Sequence, residues 1–223
     1  IFITALTHVV GDFPTAVNES SKVLAIKGKV LPVSLDNIEL SAKLKDGRVI
    51  KGESAIPKAR GRIDRVFITP QKAKPYNPAV EAIKNADAVI IGPGSLYTSI
   101  IPNLLVPGIK EALSSTKSVK IYICNIMTQE GETDGYSVSE HLKAIFDHTG
   151  RKVVDYVIAN NKLPSDDVLK RYESEKAYPV KIDREAVAGL GVTLVQGKLF
   201  ADGPYIRHSP EQLAKMIMKL IIV

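Results

Sequence analysis

The chain has 223 residues, 45% of them hydrophobic, which is enough for one large domain with a real core. A single cysteine excludes a disulfide framework and a cysteine-based structural zinc site, and the four histidines are scattered rather than clustered. The formal charge is +6, but basic residues alternate with acids (Lys110-Glu111, Asp183-Arg184-Glu185) and the clusters Lys58–Arg65 and Lys72–Lys74 lack an aromatic ladder, so no nucleic-acid partner is expected; a solvated face or a basic crevice for a small anion fits.

Ile1–Val10 is apolar and helix-like, with no cap before it, so the natural protein is expected to carry more chain upstream. Val23–Ile26 reads as a short strand. In Ile38–Lys45 the residues Ile38, Leu40, Ala42 and Leu44 alternate with polar ones, the pattern of a half-buried strand. Asp46-Gly47 then turns the chain into a return strand over Arg48–Ser54, and Arg65–Thr69 is a further strand. A two-residue turn would set Ala42 against Lys51. A three-residue loop, Lys45-Asp46-Gly47, sets Ala42 against Ile50 and Leu40 against Gly52, with Gly47 at positive φ. Residues 23–69 therefore read as a small antiparallel β subdomain within a single domain spanning 1–223.

From Asn77 the texture changes. Asn77 is placed as the cap and Pro78 as the first residue of a helix that runs to about Asn85. Ala88–Ile91 is continuously apolar, as a strand buried on both faces would be. Ile109–Ser115 is helical, Val119–Cys124 is a strand, and Ser137-Val138-Ser139-Glu140 is a capping box. Val138, Leu142, Ile145, Phe146 and Thr149 mark the inner face of the helix it opens. Val153–Ala159 is a third strand and Pro164–Ser174 a helix. Ser209–Gln212 is a second capping box, before an inward stripe of Leu213, Met216, Ile217 and Leu220. Helices and apolar strands in alternation predict an α/β protein, a Rossmann-like three-layer fold on a parallel sheet. No apolar run of about 18 residues occurs, so no membrane span is expected.

In such sheets ligands bind beyond the carboxyl ends of the strands. Each of the three apolar strands is followed by glycines and small polar residues: Gly92-Pro93-Gly94-Ser95-Leu96-Tyr97-Thr98-Ser99, then Asn125 to Tyr136, then Asn160-Asn161. Gly92 and Gly94 let the backbone approach a phosphate, and Ser95, Thr98 and Ser99 add hydroxyls. The second loop is long for its position, which points to function, and Glu130–Gly135 is expected to be a mobile cover over the ligand. His141 falls on the inward stripe and reads as a core residue, His148 as surface, and Cys124 as an inert buried thiol. No nucleophile–base pair is visible.

The run Ala86 to Leu105, including Gly92-Pro93-Gly94-Ser95-Leu96-Tyr97-Thr98-Ser99, resembles the signature of the CofD-like family in its YvcK group, the gluconeogenesis factors. Asn125-Ile126-Met127-Thr128-Gln129, Gly131-Glu132-Thr133 and Gly135-Tyr136 resemble a second signature, and Gly11-Asp12-Phe13 and Gly52-Glu53-Ser54 add to the match. The resemblance implies a cytoplasmic protein that binds UDP-sugars; the crevice formed by Gly92–Ser99 and Asn125–Tyr136 reads as a site for a nucleotide-sugar or a dinucleotide. The resemblance also implies a need for the protein during growth on gluconeogenic carbon and in keeping cell shape. The transferase branch of the family moves a phospholactyl group with Mg²⁺. Binding roles carry over to Gly92, Pro93, Gly94, Ser95, Thr98, Ser99, Asn125, Thr128, Gln129, Glu132 and Thr133, while Asn160 is added from its strand end. The family's upstream glycine-rich nucleotide loop does not occur in this sequence, and the first loop departs from the transferase pattern. A regulatory nucleotide-sugar binder is therefore the leading reading, a Mg²⁺-dependent group transferase the alternative, and a homo-oligomeric scaffold the bland one.

Overall fold

The computed structural model describes residues 1–23, 25, 27–201, 203 and 205–222. Two helices lead, α1 (Phe2–Val10) and α2 (Phe13–Val23). Val23 closes α2 instead of opening a strand, and the rest of that expected strand, Leu24 and Ile26, lies outside the described residues. A three-stranded antiparallel sheet follows: β1 (Glu39–Leu44), β2 (Val49–Lys51) and β3 (Ile63–Thr69), in the order β2-β1-β3. Its hairpin has the three-residue loop that the apolar pattern demanded. Ala42 faces Ile50, the Leu44 N–H donates to the Arg48 carbonyl, and Gly47 takes φ 91°. The return strand is shorter than expected, because Gly52 at φ 89° turns the chain into two 3-10 turns, Glu53–Ala55 and Pro57–Ala59.

The remaining chain alternates helices and strands: α3 (Asn77–Lys84), β4 (Ala88–Ile91), a π-helical turn Leu96–Ile100 running into α4 (Ile101–Leu105), α5 (Ile109–Ser115), β5 (Val119–Ile123), α6 (Val138–Thr149), β6 (Tyr156–Asn160), α7 (Asp166–Ser174), α8 (Arg184–Gly189), β7 (Thr193–Gly197) and α9 (Pro210–Ile221). Strands β4-β5-β6-β7 form one parallel sheet in that order. Tyr76, not Asn77, caps α3. The Ser137 box is made in both directions, with the Ser137 N–H donating to Glu140 Oε2 at 2.8 Å and the Glu140 N–H to Ser137 Oγ at 3.4 Å. The Ser209 box is only half made: its Oγ accepts from the Gln212 N–H, but the Ser209 N–H goes to the Leu199 carbonyl.

Strand alternation divides the core. Tyr122 of β5 faces a large cluster shared with α4, α5, α6 and the antiparallel sheet, while Ile121 and Ile123 face a second cluster closed by α7 and α9. All three are fully buried, and the two isoleucines each contribute roughly 1.5–3 kcal/mol as apolar side chains removed from water. β4 was expected to be buried on both faces but stands at the sheet edge, with β5 as its strand partner and Ile90 left 37% exposed. Among the described residues no helix is long and apolar enough to cross a membrane.

Candidate functional site

Because β4, β5 and β6 are parallel, the segments after them leave the same edge of the sheet. Gly92 turns the chain at φ 89°, and a Cβ there would lie 3.1 Å from the Ile123 carbonyl oxygen and 3.2 Å from Ile100 Cδ1. Only glycine meets both demands. Gly94 is less confined, its nearest prospective contact being Ser99 Cβ at 3.3 Å.

The start of the following helical turn is already occupied by a protein carboxylate. Glu132, 6% exposed, accepts the Tyr97 N–H at 3.2 Å and the Thr98 hydroxyl at 2.9 Å. Burial pushes its carboxyl up, with these hydrogen bonds opposing the shift. The expectation that open N–H groups of this turn would meet an external anion is thus revised for Tyr97, whose N–H an internal acid takes. Open donors must come from the loop itself and from neighbouring side chains.

Those side chains form a chain of hydrogen bonds. Asn125 Nδ2 donates to Gln129 Oε1 at 3.1 Å, and Gln129 Nε2 donates to Ser95 Oγ at 2.9 Å. Ser95 Oγ thereby spends one lone pair and keeps its rotatable O–H free to donate. This triad opens on a cavity of about 460 Å³ lined by Pro93, Gly94, Ser95, Asn125, Met127, Thr128, Gln129, Glu130, Tyr172, Glu175, Ala177, Ile206 and His208, among others.

The structure brings Pro93, Gly94, Ser95, Asn125, Thr128 and Gln129 together at this cavity. Gly92 lies behind it, bordering with Ser99 a separate apolar groove of about 410 Å³ beside β4. Thr98 and Glu132 are bonded to each other. The Thr133 hydroxyl accepts the Gln129 N–H at 3.0 Å and is fully buried. The Thr128 hydroxyl accepts the Tyr178 N–H at 2.9 Å. Asn160 ties strand ends, its Oδ1 accepting the Leu199 N–H at 3.1 Å and its Nδ2 donating to the Lys162 carbonyl at 2.6 Å.

The 130–135 segment is a packed turn, not a loose cover. Gly131, Glu132 and Thr133 are buried, and Asp134 Oδ2 accepts the Gly131 N–H at 2.8 Å. Glu130 pairs with Lys176 at 2.8 Å and Arg60 at 3.8 Å. A Cβ on Gly131 would lie 2.2 Å from the Pro57 carbonyl oxygen, so this glycine is there for close packing.

Tyr172, Glu175, Ile206 and His208 were not foreseen. They arrive from α7 and from the chain before α9, and carry no local motif. His208 Nε2 lies 3.2 Å from the Cys124 carbonyl oxygen, and burial holds the imidazole below its ordinary pKa. Burial also pushes the Cys124 thiol up to about 12, which fits an inert thiol. His141 is fully buried, with Nδ1 2.8 Å from the Ser137 carbonyl. His148, expected at the surface, is half-buried. Its Nε2 accepts the Val66 N–H at 2.9 Å, an outer-edge donor of β3 that would otherwise lack a partner. Among the described residues no three metal-ligating side chains converge.

Comparison with known proteins agrees with this fold. The family model described as 2-phospho-L-lactate transferase CofD matches residues 1–200. A gluconeogenesis factor of Halalkalibacterium halodurans is 45% identical over 220 residues, covering 98% of this chain and 68% of that protein. The Bacillus subtilis gluconeogenesis factor is 41% identical over 222 residues, covering 99% of this chain and 70% of its own. A putative gluconeogenesis factor of Clostridium acetobutylicum is 46% identical over 228 residues, and this chain spans 50% of its length. The solved structure of a UPF0052-family protein from Bacillus halodurans superposes with a TM-score of 0.93 at 45% identity, covering 97% of this chain and 70% of that one.

Proposed function

Because this chain belongs to the CofD-like family, among its gluconeogenesis factors, we propose that it binds a diphosphate-linked nucleotide, a UDP-sugar in the first instance, at the carboxyl edge of its parallel sheet. The observation that carries the reading is the Asn125–Gln129–Ser95 chain, which holds Ser95 in the cavity wall beside Gly94 with its hydroxyl still free to donate. A phosphate oxygen accepts from Ser95 Oγ and from loop N–H groups that Gly94 leaves accessible. The nucleoside or sugar extends between Met127, Tyr172 and Ile206. Binding regulates carbon flow and envelope synthesis in the cytoplasm, without turnover, during growth on gluconeogenic carbon. The diphosphate is held by neutral donors, since no Lys or Arg lines the cavity among the described residues.

Titration calorimetry with UDP-glucose tests this. The expected result is saturable binding that Gly94→Val weakens, because a side chain there presses on Ser99 and Ile100 and shifts the loop that meets the phosphate. A folded Gly94→Val protein with unchanged affinity overturns the placement. A second reading is favoured by the family model itself, which is described as a transferase. In that reading the same loop positions a diphosphate for group transfer with Mg²⁺ present. Incubation with Mg²⁺ and nucleotide diphosphates, followed by product analysis, separates the two.

A further inference from the structure

The charge balance of the cavity says which part of such a ligand it accommodates. Two carboxylates line it, Glu130 and Glu175, and no lysine or arginine does among the described residues. Glu130 is committed to Lys176 at 2.8 Å and Arg60 at 3.8 Å. Glu175 has no ion pair or side-chain hydrogen bond among the described residues and is exposed at the mouth. A phosphate beside it would meet a bare negative charge. A hydroxyl there donates to a carboxylate, one of the stronger uncharged-to-charged hydrogen bonds.

Two features of the local backbone run against stability and so call for a reason. Glu175 is the C-cap residue of α7, where the helix dipole disfavours an acid. The next residue, Lys176, takes φ 52°, a left-handed conformation that helix ends normally give to glycine. The turn they form carries Ala177 and Glu175 into the cavity wall beside Tyr172. The Tyr172 hydroxyl accepts the Ile206 N–H at 2.9 Å, which fixes the ring as a flat apolar wall. A flat ring and an acceptor carboxylate lining the same cavity suit a ligand ring that has a C–H face and a pair of adjacent hydroxyls.

We propose that Glu175 is the hydroxyl-reading residue of this cavity, accepting hydrogen bonds from a vicinal diol, of a ribose or of a hexose, on the diphosphate-linked ligand. This rests on the nucleotide reading above. The same carboxylate repels a ligand phosphorylated at that diol.

The test is calorimetric titration of the full-length protein, with UDP-glucose, its 2′-deoxyribose analogue, its 2-deoxyhexose analogue and UDP. Wild type is compared with Glu175→Ala and Glu175→Gln. Glu175→Ala is expected to weaken UDP-glucose binding about 10- to 100-fold, the range for a hydrogen bond to a charged group. One deoxy analogue should show the same loss on wild type and no further loss on Glu175→Ala, which a merely structural role would not produce. Whether that analogue lacks the ribose or the hexose hydroxyl identifies the diol. Because Glu175 is exposed, the variants stay folded, as unchanged urea midpoints will verify. Unaltered UDP-glucose affinity in Glu175→Ala, or equal losses for both deoxy analogues on wild type and variant alike, overturns this inference and leaves the nucleotide reading standing. A wild-type protein that binds neither UDP nor UDP-glucose overturns both.

Discussion

Replacing Glu132 with alanine removes the acceptor that holds the first turn after the glycine loop. Two donors lose their partner, the Tyr97 N–H at 3.2 Å and the Thr98 hydroxyl at 2.9 Å. The hydroxyl can rotate toward another acceptor, so the larger share of the cost falls on the N–H of Tyr97, a residue only 3% exposed. An unmet buried polar group costs about 1–3 kcal/mol, and the hole left by a methylene and a carboxyl adds to it. A loss of about 2–4 kcal/mol is expected, lowering the urea midpoint by about 1–2 M for an m-value of about 2 kcal/mol/M. Glu132→Gln should behave differently. Its Oε1 can still accept from Tyr97, its amide can donate to Thr98 Oγ1, and no charge is buried, so the change should stay within about 1 kcal/mol. The pH dependence discriminates further. Because burial raises the folded-state pKa above 4.5, the folded state holds the proton more tightly, and this group's contribution to stability declines as pH rises through that window. Glu132→Gln should remove that part of the slope. An unchanged midpoint for Glu132→Ala, or an equal drop for Glu132→Gln, would refute the assignment of Glu132 as the internal cap.

Burial depresses the pKa of His148, His141 and His208, so the unfolded chain takes up protons first and stability should fall as pH drops below about 6.5; His148→Gln should flatten the slope in urea midpoints between pH 8 and 5. Gly131→Ala places a methyl 2.2 Å from the Pro57 carbonyl oxygen at φ 79°, and should cost more than about 2 kcal/mol by thermal unfolding. Gly135→Ala, at φ 70° with nothing within 4 Å, should cost only about 1 kcal/mol, and equal losses at the two positions would sink the packing argument. Gln129→Ala frees Ser95 Oγ to turn away and should weaken UDP-glucose binding several-fold with little change in folding, as calorimetry and urea unfolding together will show.

How far the fold could be read depended on whether hydrophobicity and hydrogen bonding agreed. The β1–β2 register was legible because one shift alone keeps Leu40, Ala42 and Ile50 on one face. Val153 and Val154 misled, because both are fully buried yet β6 begins only at Tyr156. Apolar sequence reports burial, and burial does not require a ladder. β7 passed unnoticed for the converse reason. Thr193–Gly197 is short and only partly buried, and it becomes a strand by pairing with β6, a partner more than thirty residues earlier. The edge position of β4 was likewise invisible, since a run of four apolar residues reads the same with one neighbouring strand or two.

The site divides along a different line. Glycines and strand ends located the loop, because a backbone that turns at positive φ against Ile123 leaves a mark in residue type. Direction leaves no such mark. Thr98 and Thr133 have the hydroxyls of a phosphate cradle and Glu132 the acceptor of a ligand-binding loop, and the same types serve equally well to satisfy a buried turn. What decides is whether another buried donor lies within 3 Å or so, and for Glu132 that donor is thirty-five residues earlier in the chain. Glu175 is the opposite case. Nothing nearby in sequence distinguishes it from the other acids of a charged helix, Asp166, Asp167 and Glu173. It becomes distinctive only when Glu130 is seen to be spent on Lys176 and the cavity, among the described residues, is seen to be lined by no lysine or arginine. An acid is informative when the fold leaves it without a partner, and partnership is a property of the packed molecule, set by elements that no local window of sequence contains.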